Sequence, residues 1–145
     1  MASTLSYETV NNGDKLPEIV RHVTQEEMWQ HAVTSFDWNP VHVHPEWCKT
    51  ATVFGLDSTV LHGNLTFCLI TSVITNWAYP SGGKLSKLEI KLIKPLPPNS
   101  TLTYGGIVTE KHPICKGKNY VVVELYGKNQ NDEKFADARA EVILP

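Results

Sequence analysis

The stretch Gly63–Ala78, GNLTFCLITSVITNWA, decides the fold of this chain. It is apolar on most of its helical faces, and Pro80 and the Gly82-Gly83 pair follow it at once and end the helix. A membrane span needs about twenty predominantly apolar residues. This stretch is shorter and contains three threonines and a serine. It therefore predicts a buried central helix rather than a membrane span.

Beyond this helix the hydrophobic period changes to that of a strand. Four strand-like segments follow, at residues 85–92, 101–111, 119–128 and 134–144, and turns rich in Pro, Gly and Asn separate them. This order is typical of an α+β domain in which an antiparallel sheet wraps around one long central helix. No repeat, linker or low-complexity segment divides the chain, so we expect one domain over residues 1–145.

Two shorter helices are predicted ahead of the central one. Thr24 and Glu27 form a capping box that opens a helix ending just before Asp37. Pro45 suits the first turn of a second, short helix that reaches Ala51. The segment around Asp37 is therefore interpreted as a shaped loop between two helices.

Charge and cysteine content exclude several classes of function. Thirteen Lys and Arg stand against fifteen Asp and Glu without any block of like charge, so neither nucleic acid nor an anionic membrane is a predicted partner. Cys48, Cys68 and Cys115 are far apart and form no CxxC, which disfavours a disulfide framework and a cysteine zinc site. With no signal-peptide pattern in residues 1–5, we expect a cytoplasmic protein.

The loop SFDWNPVH at residues 35–42 carries the candidate chemistry. It places the Asp37 carboxylate and the His42 imidazole five positions apart. Pro40 fixes its own φ and biases Asn39 towards an extended backbone, so the loop has a constrained shape. A carboxylate and an imidazole that share one water are a common arrangement for general acid–base chemistry.

The motif DWNPVH at residues 37–42, followed by His62-Gly63 at the start of the long helix, resembles the MaoC-like hydratases. These are the (R)-specific enoyl-CoA hydratase family of the hotdog fold, and the resemblance spans nearly the whole chain. It implies a single hotdog domain. It also implies reversible hydration of trans-2-enoyl thioesters to (R)-3-hydroxyacyl thioesters.

That reaction needs a base for water, an acid for C2 and a stabiliser for the enolate-like oxygen. The resemblance implies that Asp37 and His42 make both proton transfers, and which of them is acid and which is base stays open. The Gly63 amide at the helix start is the oxyanion candidate, because free N–H groups and the helix dipole favour negative charge there.

Three further residues are interpreted as supporting the site. Asn39 fixes the loop, and Thr71 stands where the family carries a small hydroxyl residue on the central helix. The alternative for Thr71 is a buried helix threonine that bonds a carbonyl one turn back. The alternative for His62 is a residue that only begins the helix.

A metal site is the competing interpretation of the histidines. On an extended segment His42 and His44 would face the same side, with Asp37 and His62 as further ligands. The family resemblance instead implies no metal and no redox cofactor, and this is the prediction adopted.

Other positions bear on substrate and packing. Asn64 stands where the family commonly has methionine, which indicates a more polar or differently shaped pocket and leaves the acyl chain length open. Cys48 and Cys68 are interpreted as small buried hydrophobes. The tryptophans are interpreted as core or dimer-interface residues, with Trp38 as an alternative wall of an acyl pocket; they are Trp29, Trp38, Trp47 and Trp77.

The resemblance also implies partners. The substrate carrier would be CoA or acyl-carrier protein, and the protein would be a homodimer, with a heterodimer containing a catalytically silent partner left open. Two rival functions remain at this stage. One is an acyl-thioester hydrolase on the same fold, and the other is a non-catalytic acyl-thioester-binding subunit of a heteromeric hydratase.

Overall fold

One antiparallel sheet wraps around the long helix, as the sequence predicts. The computed structural model describes residues 5–145. Residues 1–4, which belong to the segment used above to predict the absence of a signal peptide, lie outside this range. Five strands pair in the order β1-β3-β4-β5-β2. They are β1 (Ile19–Val23), β2 (Lys84–Leu92), β3 (Ser100–His112), β4 (Tyr120–Lys128) and β5 (Lys134–Ile143). The α+β hotdog architecture is thereby confirmed.

Four α-helices accompany the sheet. They are α1 (Gln25–Ser35), α2 (Pro40–Val43), α3 (Pro45–Ala51) and α4 (Gly63–Ala78). The single helical turn α2 was not predicted, because the segment after Asn39 was interpreted as extended. Within the described residues, no helix has the length and apolar character needed to cross a bilayer.

The core lies between α4 and the concave face of the sheet. Ile70, Val73 and Ile74 occupy one face of α4 and are fully or almost fully buried. Opposite them, β5 alternates small inward residues, Ala136, Ala138 and Ala140, with polar outward ones. Because these alanines project little, the helix can pack close to the sheet.

Helix α1 begins with the predicted capping box. The Thr24 hydroxyl accepts a hydrogen bond from the Glu27 amide (3.2 Å), and the Glu27 carboxylate accepts one from the Thr24 amide (3.0 Å). Two amide donors are thus satisfied at the helix start. The box fixes where α1 begins, and therefore which residues of α1 face the neighbouring loop.

We expect Thr24→Ala to lower stability by about 1 kcal/mol, because one helix N–H loses its partner. For a chain of this size that corresponds to a fall in Tm of roughly 3 °C. Thr34→Ala, at the other end of α1, removes an exposed hydroxyl that bonds only within its own helix and serves as the control. Equal thermal shifts in the two variants would contradict the assignment.

Several packing predictions are corrected by the structure. Trp29, Trp38 and Trp47 are exposed, so they do not belong to the core of the chain, and their assignment to a dimer interface stays a prediction. Trp77 packs against the core as expected. Cys48 is buried as predicted, whereas Cys68 is exposed, because α4 buries one face only and Cys68 lies on the other.

Candidate active site

The loop that carries Asp37 starts where α1 ends. Phe36 caps α1 in the left-handed region (φ 56°) and turns the chain out of the helix. The Asp37 carboxylate then accepts a hydrogen bond from the Asn39 amide at 3.4 Å, and Asn39 has an extended backbone (φ −57°, ψ 127°). This Asx-type turn orients the carboxylate towards the next segment.

His42 lies on the helical turn α2, with its ring oriented by a backbone carbonyl. Its Nδ1 is 2.7 Å from the Val60 carbonyl oxygen. A carbonyl only accepts, so Nδ1 carries a proton and donates it. In the neutral ring Nε2 therefore has the free lone pair, and this is the atom that faces Asp37.

Asp37 and His42 are brought together as the sequence motif predicts. The Asp37 Oδ2 and His42 Nε2 atoms are 3.9 Å apart. This separation is too long for a direct hydrogen bond, yet one water or one substrate hydroxyl can contact both atoms. The His42 side chain is 14% exposed and that of Asp37 is 37% exposed, so a ligand can reach the pair.

His62 lies directly behind the pair and is fully buried. Its ring stacks on His42, with centroids 4.1 Å apart and an interplanar angle of 25°. Its Nε2 donates to the Asp37 carbonyl at 3.2 Å, while its Nδ1 has no hydrogen-bond partner. His62 therefore does more than begin α4, because it contacts both members of the pair through one ring.

Burial, reinforced by the neighbouring His42, lowers the pKa of His62 below its ordinary value of 6.5. The unfolded chain thus binds this proton more readily than the folded protein does. The stability that neutral His62 contributes is complete above the unfolded pKa and is lost as the pH falls below it.

We therefore expect His62→Gln, which keeps a donor for the Asp37 carbonyl, to reduce the acid sensitivity of folding. The decrease in Tm from about pH 7.5 to about pH 5.5 should be smaller than in the wild type. His22→Gln on β1 is the matched surface control. If the wild type and His62→Gln lose the same amount of Tm, His62 is not the acid-sensitive group.

An apolar pocket opens beside the pair. It has a volume of about 400 Å³ and is lined in part by His42, Gly63 and Thr66. The rest of the wall is mainly apolar and comes from distant parts of the chain: Phe54, Leu92, Ile93, Pro95, Leu96 and Phe135. Its size and lining are those of a small-molecule site, and His42 is the member of the pair that borders it.

Gly63 is the first residue of α4 and borders this pocket. A Cβ on Gly63 would lie 2.9 Å from Leu92 Cδ1, so any other residue type here would require the Leu92 side chain to shift. The N-terminal amides of α4 receive no side-chain cap from His62. They can therefore donate to an oxygen that becomes negative in the pocket.

The supporting residues differ in their relation to the pair. Asn39 caps α2, since its side-chain oxygen accepts from the Val41 amide at 3.3 Å. The Thr71 hydroxyl donates to the Phe67 carbonyl at 2.8 Å, one turn back on α4, and Thr71 does not border the pocket. Thr66, which the sequence did not single out, does border it. Trp38 is exposed and is not part of this pocket wall, and its alternative role in lining an acyl pocket stays a prediction.

The geometry of the histidines bears on metal binding. Asp37, His42 and His62 offer ligand atoms within 4.8 Å of one another. However, the two rings are stacked with an interplanar angle of 25°, so their in-plane lone pairs lie in separate, nearly parallel planes and do not both point at one tetrahedral ion. The alternative in which His42 and His44 face the same side is wrong, because α2 is helical and His44 Nδ1 accepts from the Trp47 amide at 3.1 Å.

Solved structures of similar shape share this architecture. The R-hydratase PhaJ1 from Pseudomonas aeruginosa superposes with a TM-score of 0.84 at 24% identity, covering 98% of this chain and 86% of that one. The (R)-hydratase from A. caviae involved in PHA biosynthesis gives 0.80 at 19% identity, covering 95% and 99%. The ChsH1-ChsH2 complex from Mycobacterium tuberculosis gives 0.77 at 23% identity, covering 94% and 99%.

At these identities the solved structures establish the fold alone. Among curated protein sequences, none is significantly similar to this chain. The family model described as "MaoC like domain" matches residues 9–129, which is most of the chain and includes the Asp37 loop and all of α4. The protein therefore belongs to the MaoC-like dehydratase domain family.

Proposed function

We propose that this protein catalyses the reversible hydration of trans-2-enoyl thioesters to (R)-3-hydroxyacyl thioesters. The observation that carries the proposal is the 3.9 Å separation of Asp37 Oδ2 and His42 Nε2 beside an apolar pocket. Both atoms can contact one water, and the pocket can hold an acyl chain. The family membership and the hydratases of similar fold support the same reaction class.

In the hydration direction the water oxygen bonds to C3 of the enoyl group and gives one proton to the pair. The electrons of the double bond move towards the thioester carbonyl, and C2 then takes a proton from the pair. The Gly63 amide stabilises the enolate-like oxygen between these events. Because Asp37 and His42 can contact the same water, the two proton transfers are assigned to the pair together.

Carrier, partners and cofactors complete the proposal. The thioester is carried by CoA or by acyl-carrier protein. The stacking of His42 and His62 supports chemistry without a metal.

We propose a homodimer, supported by the exposed aromatic residues that flank Asp37, Phe36 and Trp38. The likeness to the ChsH1-ChsH2 complex supports a heterodimer as the alternative. Three free cysteines support a reducing, cytoplasmic location.

The test follows the loss of enoyl-thioester absorbance with crotonyl-CoA and with a longer trans-2-enoyl-CoA, alongside a free-thiol assay. Absorbance loss without thiol is the expected result. Thiol release would move the protein to the acyl-thioester hydrolases. No signal in either assay would overturn a self-sufficient CoA hydratase. A repeat with a trans-2-enoyl thioester of acyl-carrier protein then separates a carrier-protein hydratase, which would give absorbance loss, from a subunit that binds acyl thioesters without turnover.

A further inference from the structure

The turn that carries His42 cannot hold itself in place. A helix of four residues is far below the length at which helices are stable alone, and its last carbonyls have no partner within it. In this protein the two final carbonyls are bonded from outside, by α1. The His42 carbonyl accepts from Gln25 Nε2 at 3.0 Å, and the Val43 carbonyl accepts from Trp29 Nε1 at 2.9 Å.

The side-chain amide of Gln25 forms hydrogen bonds with two segments, the α2 turn that carries His42 and the segment at Thr59. Its Nε2 donates to the His42 carbonyl, and its Oε1 accepts from the buried Thr59 hydroxyl. Thr59 directly precedes Val60, whose carbonyl orients the His42 ring. With its oxygen occupied by a hydroxyl and its nitrogen by a carbonyl, the amide has one favourable orientation. One side chain therefore ties the backbone of His42 to the segment that aims its ring.

Trp29 lies four residues after Gln25, on the same face of α1. Its side chain is 45% exposed, yet its indole N–H is not free in solvent, because it donates to the last carbonyl of α2. The capping box at Thr24 makes Gln25 the first residue of the helix and so fixes the position of both donors.

Helix α1 also delivers the other member of the pair, since Asp37 follows its last residue by two positions. One rigid helix thus holds the His42 turn with its first half and places Asp37 with its end. We propose that Gln25 and Trp29 are positioning residues that set the separation between His42 Nε2 and Asp37 Oδ2. This inference rests on the proposed hydration, because the pair is its reacting centre.

Gln25→Met tests the inference, since it keeps the length of the side chain and removes both hydrogen bonds. A displacement of about 1 Å at a catalytic group costs on the order of 100-fold in rate, so kcat should fall roughly 10- to 100-fold. KM should change little, because Gln25 does not line the pocket and its apolar wall keeps its residues. Trp29→Phe, which removes the N–H donor, should change kcat in the same direction.

Gln30→Met is the matched control, because it makes the same change on an exposed position of the same helix. It should retain the wild-type kcat. A Gln25→Met enzyme that equals this control would overturn the inference. So would a loss in which kcat falls, KM rises and Tm drops together, because that pattern indicates general unfolding of the site.

Hydrogen–deuterium exchange separates this inference from the proposed function. In Gln25→Met the amides of residues 41–44 and 59–61 should exchange faster than in the wild type, while those of β4 and β5 should not change. If the wild type does not hydrate enoyl thioesters, the proposed function fails and exchange alone decides. Faster exchange confined to these two segments supports the positioning role, and unchanged exchange overturns it.

Discussion

Asp37→Asn and His42→Asn are each expected to reduce enoyl-thioester hydration by roughly 10²- to 10⁴-fold, which is the contribution of positioned acid–base groups. Each change removes a group that can transfer a proton but keeps the hydrogen bond that the original side chain makes to the backbone. Asparagine at position 37 retains an oxygen for the Asn39 amide. At position 42 its amide nitrogen can donate to the Val60 carbonyl in place of Nδ1.

Since the loop contacts are preserved, thermal melts of both variants should stay close to that of the wild type. The double variant should be little worse than either single one, because the two groups act on one water as a unit. Asp57→Asn and His22→Ala, on exposed residues that do not line the pocket, are the controls. Near-wild-type hydration by either single variant would remove that residue from the reacting centre.

The secondary structure that the sequence predicts well is the part with strong periodicity. Helix α4 and the four strands β2 to β5 lie within one or two residues of their predicted bounds. The strand β1 was missed for a physical reason. It is an edge strand of five residues in which Val20, Arg21 and His22 are all exposed, so it shows no alternation of buried and exposed positions.

The loop motif predicted which residues meet, but not how the chain brings them together. Asn39 followed by Pro40 is a strong signal for an N-cap and a first helical residue. It was interpreted only as a constraint towards extended backbone, and the error carried over to His44. The meeting of Asp37 with His42 agrees with the motif, and their roles stay predictions.

Burial on the individual helix faces could not be derived from composition. Cys48 and Cys68 are the same residue type in helices, yet one is buried and the other exposed, because the sheet covers only one face of α4. The pocket wall shows the same limit. Phe54 and Phe135 border it together although about eighty positions separate them in sequence, and only the packed sheet brings them to one place.

Phe135 borders one side of the proposed acyl pocket, and the absence of a side chain at Gly127 leaves room for its ring. Its ring packs edge-on against buried Tyr104, with centroids 5.5 Å apart. On β4, a Cβ at Gly127 would lie 2.6 Å from Phe135 Cζ and 2.8 Å from Cε2. Real Cβ atoms do not approach a ring so closely. Because Phe135 contacts buried Tyr104 and also borders the pocket, we expect its ring to yield towards the pocket.

Gly127→Ala should therefore have two linked effects. It should destabilise the protein by about 1–3 kcal/mol through overpacking. It should also shorten the pocket, so that kcat/KM for a longer trans-2-enoyl-CoA falls more than kcat/KM for crotonyl-CoA. Asp37 and His42 are not displaced by the change, so the reaction with the short substrate should persist.

Phe135→Leu is the partner variant, because it removes the ring that the new methyl group would strike. Alone it should shift preference towards longer chains. In the Phe135→Leu background, Gly127→Ala should cost less stability than in the wild type, giving a coupling of about 0.5–3 kcal/mol, as found for residues in contact. Additive losses of stability, together with an unchanged chain-length ratio in Gly127→Ala, would show that Phe135 does not bound the acyl chain. A stability coupling between the two positions, together with a changed chain-length ratio, would place the end of the substrate at the Phe135 ring. The same ring atoms would then account for both the strain and the chain-length preference.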